Sequence, residues 1–343
     1  MSGIVCKPCL AFDALAALVF CNYCRTDVPK ISEWVGKTFQ GINIGPSDQF
    51  FKLLATHHTF EEIEGFGIDE LAKVYPAYIR ENAYVKQYEV ELVKGLQILQ
   101  NSDFVQLWNN DILPILNRQC NEAEVACNSV QIENVLVEIS RVRQKQIREN
   151  IHIYITYFTH PASFQIASNS YITNSSVDKL ISVKPFLRLF VHELCHGFSN
   201  EKAKAAYRNM RFQDTFFKKT NWFLNKFCGH PGDEEEFVQA IEHYIAVRNG
   251  LETYDDAIER FRSHYKCSVP IAVIMFDELC KLEEMPKDMN VWICEVFFGE
   301  IMKHEEIENK VNAVVAGYTN KFLENWGKEE QKNPSRFVSF KQI

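Results

Sequence analysis

One block of period-two patterning constrains this fold more than any other feature. "IHIYITYF", residues 151–158, is dense in β-branched and aromatic residues, and its apolar side chains alternate as in a half-buried strand. Just downstream, "SFQIASNSYIT", residues 163–173, reads as two short strands around an Asn-Ser turn. Elsewhere the apolar spacing is helical. "FDALAALVF", "ISEWVGKTF", "FFKLLATHHTF" and "IDELAKVYPAYIR" are short amphipathic pieces, and longer helices are expected over about 84–100 and 130–148. After Pro185 the helical period returns and runs to the end, apart from turns at "GHPGD" and "EMPKDMN". The expected class is α+β: a mainly helical N-terminal region, 1–149, followed by a region, 150–343, in which a small sheet precedes helices, the two forming either separate domains or one continuous domain.

Composition removes several function classes. The net charge of −8 offers no basic excess for a nucleic-acid face. The cluster Arg141, Arg143, Lys145 and Arg148 alternates with polar residues and reads as the wet side of a helix. No apolar run reaches the ~18 residues needed to span a bilayer. The first twenty residues lack a basic start, and Lys7 and Asp13 interrupt their apolar stretch, so they are expected to be part of the folded chain and not a secretory signal. The 11 cysteines are odd in number and scattered, which fits reduced, buried thiols and a cytoplasmic location. Cys6-x-x-Cys9 and Cys21-x-x-Cys24 have zinc-ribbon spacing, but an apolar helical stretch separates them, without Gly-rich knuckles. Buried free thiols are expected there, and not a second, structural zinc ion.

The chemistry concentrates in "PFLRLFVHELCHGFSN", residues 185–200. On a helix, Phe186, Leu187, Phe190, Val191, Leu194 and Phe198 gather on one side, while His192 and His196 fall together on the other with Glu193 beside them. Residues four apart are neighbours on a helix, so two imidazoles can reach one divalent ion. Glu193 is rotated off the pair, a poor ligand position but a suitable one for taking a proton from a metal-activated water. Gly197 removes a side chain, which would let another backbone approach. With 10 histidines and 45 acidic residues in 343, His-Glu-x-x-His arises by accident at most roughly 0.04 times. Cys195, inside the motif, projects away from both histidines and is expected to pack in the core.

Catalytic zinc takes three protein ligands and leaves a position for water. The third donor is expected from "GHPGDEEEFVQAIEHYIAVRNG", residues 229–250, a helix of about sixteen residues closed by Gly250. Glu236 borders its apolar face and Glu235 is expected to face solvent, which makes Glu236 the first choice and Glu235 and His243 the reserves. Asp233 with Glu236 also approximates a capping box, a purely local role.

His192-Glu193-x-x-His196, followed by Glu236 in "EEEFVQAIEHY", resembles the gluzincin branch of zinc metallopeptidases, especially lethal-factor-like and related peptidases. The likeness spans about 150–250. It implies a zincin-like region, zinc held by His192, His196 and Glu236, Glu193 as general base, and a peptide or protein substrate paired along an edge strand, for which 163–173 is the candidate. It also implies a Tyr or His that stabilises the oxyanion, with His230 nearest and Tyr207 next. Gluzincins often place an acidic residue four after the ligand glutamate, where this chain has Ala240, so a carboxylate behind the ligands has to come from elsewhere. The rival reading is a zinc-binding or protein-interaction module that kept the helix without catalysis.

Overall fold

The computed structural model describes residues 3–22, 28–44, 48–129, 131–147, 150–158, 163–174, 183–228, 232–263 and 265–337. The chain divides into two compact units, Met1–Val130 with Ile147–Leu187, and Gln131–Gln146 with Arg188–Ile343. This departs from a single boundary at 149/150. The expected strands group with the N-terminal residues, and one mid-chain helix groups with the C-terminal ones.

The first unit holds a four-stranded mixed sheet in the order β1-β2-β4-β3. β2 (Ile151–Thr156), β3 (Phe164–Ala167) and β4 (Ser170–Asn174) are the strands expected from the period-two block and its hairpin. β1 (Ile4–Lys7) was not expected. It is only four residues long and pairs in parallel with β2, far along the chain, so no local period marks it. β2 lies between parallel neighbours β1 and β4 and is buried on both faces apart from His152, so its alternation is less complete than the letters suggest. β3 pairs antiparallel with β4 and forms an edge.

Helix Leu10–Phe20 is apolar all round, and every residue from Ala11 to Phe20 is buried. In its first turn Asp13 is fully buried, accepting from Trp108 Nε1 at 2.9 Å and from the Tyr157 amide at 2.5 Å. Burial pushes its carboxyl up to about 7, against the pull of the Trp108, Tyr157 and Phe158 donors. Helix Glu89–Asn101 corresponds to the one expected near 84–100. Its Gly95 sits so close to Leu18 that a Cβ would lie 2.0 Å from Leu18 Cδ1.

Among the described residues of the second unit, every secondary-structure element is a helix. Helix Ile132–Arg143 stops short of residue 148 because Gln144 turns left-handed, φ 51°. Arg141 and Lys145 are exposed as expected, but Arg143 is half-buried beside Cys195, and Arg148 lies outside the described residues. The centre of this unit is helix Glu235–Arg248, with every residue from Glu235 to Ala246 buried. It packs on the apolar helix Pro270–Cys280. At its far end Arg248 Nε and Asn249 Nδ2 bind Glu138 at 3.0 and 2.7 Å, tying helix Ile132–Arg143 to it.

Every described cysteine is free. Cys6, Cys9 and Cys21 are buried, as expected of packed thiols, and Cys24 lies outside the described residues. Among the described residues no helix is long and apolar enough to cross a membrane.

Candidate metal centre

Helix Val183–Cys195, from Arg188 onward in the second unit, ends one residue before His196. Gly197 adopts φ 80°, a left-handed turn that stops the helix without Cβ strain. Nothing lies within 4 Å of the Cβ position at Gly197, so its role is conformational, not the close backbone approach expected from the sequence. Phe190, Val191 and Leu194 are fully buried. The histidines turn the other way, towards helix Glu235–Arg248, and their Nε2 atoms stand 3.2 Å apart. Cys195 is fully buried and burial pushes its thiol up, in keeping with a packed residue and not a ligand.

Three consecutive glutamates then take three separate positions. Glu234 accepts from the Gly197 amide at 3.0 Å, the Ser199 amide at 2.8 Å and the Ser199 hydroxyl at 2.7 Å. It thereby fixes the turn that carries His196, whose Nδ1 lies 3.7 Å away. Burial would raise the Glu234 carboxyl, but His196, Ser199 and the Gly197 amide hold it down at about 2.

Glu235 faces the histidines. Its Oε1 is 3.6 Å from His192 Nε2 and its Oε2 3.7 Å from His196 Nε2. Glu236 points elsewhere. It is fully buried, accepting from Tyr207 Oη at 2.8 Å and from the Ile271 and Ala272 amides at 2.9 and 3.2 Å. Glu235, and not Glu236 as expected, is the carboxylate beside the two histidines, and it does not face solvent. The expectation assumed a wet face, but this helix is buried on every side for its first three turns, so the side opposite the apolar stripe meets the histidine helix. Asp233 does not form a capping box with Glu236. It binds Arg208 at 2.9 Å and Arg211 at 3.1 Å instead.

Tyr207, the second oxyanion candidate, is fully buried and committed to Glu236, while also accepting from Asn221 Nδ2 at 2.9 Å. His230 lies outside the described residues. His243, the other reserve ligand, is fully buried with Nδ1 hydrogen-bonded to Glu252, and it does not join the histidine pair. Tyr265, which nothing in its sequence surroundings marks, is buried within electrostatic reach of Glu242 and Glu235.

Ala240 has no carboxylate to offer, but Glu242, two turns after Glu235, stands behind His192. His192 Nδ1–H donates to Glu242 Oε2 at 2.9 Å, and Arg188 Nε donates to Glu242 Oε1 at 2.8 Å. Four residues after Glu235 stands Gln239, whose amide donates to Glu235 Oε1 at 3.0 Å. Burial lowers the pKa of His192, but Glu235, Glu242 and Glu193 outweigh it and push the imidazole up to about 10. The potential at that ring strongly favours positive charge. Glu193 is itself buried.

These atoms suit a tetrahedral zinc. Bonds of 2.0–2.1 Å put neighbouring donors roughly 3.3–3.4 Å apart. The two imidazole nitrogens stand 3.2 Å apart, close to that spacing, while the Glu235 carboxylate straddles the pair, Oε1 3.6 Å from His192 and Oε2 3.7 Å from His196; His192, His196 and Glu235 are the one such group among the described residues. The Glu242 bond keeps one His192 proton on Nδ1, so that a metal would take the place of the other at Nε2, the arrangement that metal-bound histidines use. No protein-family model, no curated protein and no solved structure matches the chain.

Proposed function

We propose that this protein is a zinc-dependent peptidase that hydrolyses peptide bonds with Glu193 as general base. The observation that carries this reading is the convergence of the Glu235 carboxylate on His192 Nε2 and His196 Nε2, the paired imidazoles of a His-Glu-x-x-His motif. Two imidazoles and one carboxylate match the His₂Glu donor set of catalytic zinc, which leaves a fourth position open. Bound there, zinc supplies a Lewis acid that polarises the scissile carbonyl and makes water acidic enough to react near neutral pH.

The chain's own groups do the rest. Glu242 holds the His192 proton on Nδ1, and Glu234 holds the turn that aims His196. The Glu193 carboxylate accepts a proton from the attacking water and returns it to the leaving amine. Its buried position keeps that carboxylate out of bulk water.

The test is cleavage of a peptide library by zinc-loaded wild type and Glu193→Gln. The substitution is expected to keep the zinc and lower the rate by about 10²–10⁴-fold. An unchanged rate contradicts the mechanism. Bound zinc with no cleavage by wild type favours the non-catalytic binding module.

A further inference from the structure

The second unit contains a chain of alternating charge that starts at His192 and runs away from the other two donors. His192 Nδ1–H donates to Glu242 Oε2 at 2.9 Å, and Glu242 Oε1 accepts from Arg188 Nε at 2.8 Å. The other arm of the guanidinium, Nη1, reaches Glu252 Oε2 at 3.4 Å, and Glu252 Oε1 is bonded to Nδ1 of the fully buried His243. The Arg188 side chain is 12 % exposed and those of Glu242 and Glu252 are 4 % and 6 % exposed, so little of this network faces water.

Arg188 stands one helical turn before His192 on the same helix, so one rigid element carries both the donor and the anchor of the donor's partner. A carboxylate bonded through only one oxygen can turn about its last torsion. With Arg188 on Oε1 and His192 on Oε2, Glu242 is held from both sides, and the guanidinium is held in turn by Glu252. A lysine keeps the charge but not the planar fork, so it cannot hold both carboxylates in this geometry.

We propose that Arg188 is a positioning residue of the metal centre: clamped between Glu252 and Glu242, it fixes the plane of the Glu242 carboxylate and so keeps the His192 ring oriented with Nε2 towards Glu235 and His196. This rests on the metal centre proposed above.

The experiment titrates metal-free wild type, Arg188→Met, Arg188→Lys, Glu242→Gln and the Arg188→Met/Glu242→Gln double variant with Co²⁺, following visible absorption, with circular dichroism as a check on folding. Loss of a group behind a metal ligand weakens affinity by about 10–100-fold. Arg188→Met and Glu242→Gln are each expected to fall in that range with an altered cobalt spectrum, and the double variant to be no weaker than Glu242→Gln alone. A merely structural arginine gives losses that multiply in the double variant, which overturns the proposal. If Arg188→Met does not fold, Arg188→Lys decides: weaker binding with a changed spectrum supports the clamp, and wild-type affinity and spectrum overturn it. Wild type that binds no Co²⁺ overturns the metal centre itself, a result distinct from wild type that binds and variants that bind equally well.

Discussion

Glu235 and Glu236 are adjacent in the chain and face opposite ways: Glu235 lies 3.6 Å from His192 Nε2, whereas Glu236 accepts from Tyr207 Oη at 2.8 Å and caps the start of helix Pro270–Cys280 through the Ile271 and Ala272 amides. On a helix, neighbours are rotated by about 100°, so only one of them can face the histidines. The other becomes a buried structural carboxylate.

That division predicts different costs. Glu236→Ala leaves the Tyr207 hydroxyl and two amides without their acceptor in a dry interior, and each such loss is costly. Chemical denaturation is expected to show a loss of about 3 kcal/mol. A change below about 0.5 kcal/mol, the level of an ordinary surface substitution, contradicts a buried structural role.

Gly197 at φ 80° predicts a conformational, not a steric, response. Gly197→Ala meets no neighbouring atom, but it places a Cβ in the left-handed region at a cost of roughly 1–2 kcal/mol. Gly197→Asn is expected to cost less than Gly197→Ala, because Asn tolerates that region. Thermal melts of the two variants check the order, and equal melting temperatures for Ala and wild type would mean that the turn is not left-handed.

Glu234 predicts a link between turn and ligand. Glu234→Ala removes the acceptor of the Gly197 and Ser199 amides and of the Ser199 hydroxyl, freeing the segment just after His196. Zinc affinity, measured by competition with a chelator, is expected to fall about 10-fold. Unchanged affinity shows that His196 needs no such support.

Asp13 predicts a pH dependence in the first unit. Its folded pKa of about 7 lies above the ordinary value of 3.8, so folding takes up a proton between them. The contribution is complete below about pH 4 and is lost as pH rises through 7. Asp13→Asn does not ionise, so wild type is expected to lose stability relative to this variant between pH 5 and pH 8, on the order of 1.4 kcal/mol per unit inside the window. Urea denaturation at both pH values checks this, and a constant difference would mean that Asp13 ionises as it does in water.

Much of this architecture was legible in the letters. The β2 strand and the hairpin of β3 and β4 followed from alternation, with the turn at Ser168-Asn169, one residue earlier than the expected Asn-Ser pair, and the histidine pair followed from its spacing. What stayed hidden has three causes. A four-residue strand such as β1 carries no period of its own and becomes a strand only by pairing with β2. A helix buried on all sides, such as Glu235–Arg248, has no wet face, so a wheel that assigns one sends Glu235 the wrong way. The supports behind the histidines were out of reach for a third reason. Glu242 is 50 residues from His192 and Glu252 is 64 from Arg188, and no spacing rule joins them.

The zinc content per chain tests the central claim most directly, measured by atomic emission on wild type, His196→Ala, Glu235→Ala and Glu236→Ala after dialysis against trace zinc. Wild type and folded Glu236→Ala are predicted to hold about one zinc per chain, and His196→Ala and Glu235→Ala almost none. Undiminished zinc in Glu235→Ala, or a wild-type chain that takes up none, contradicts a centre built from His192, His196 and Glu235.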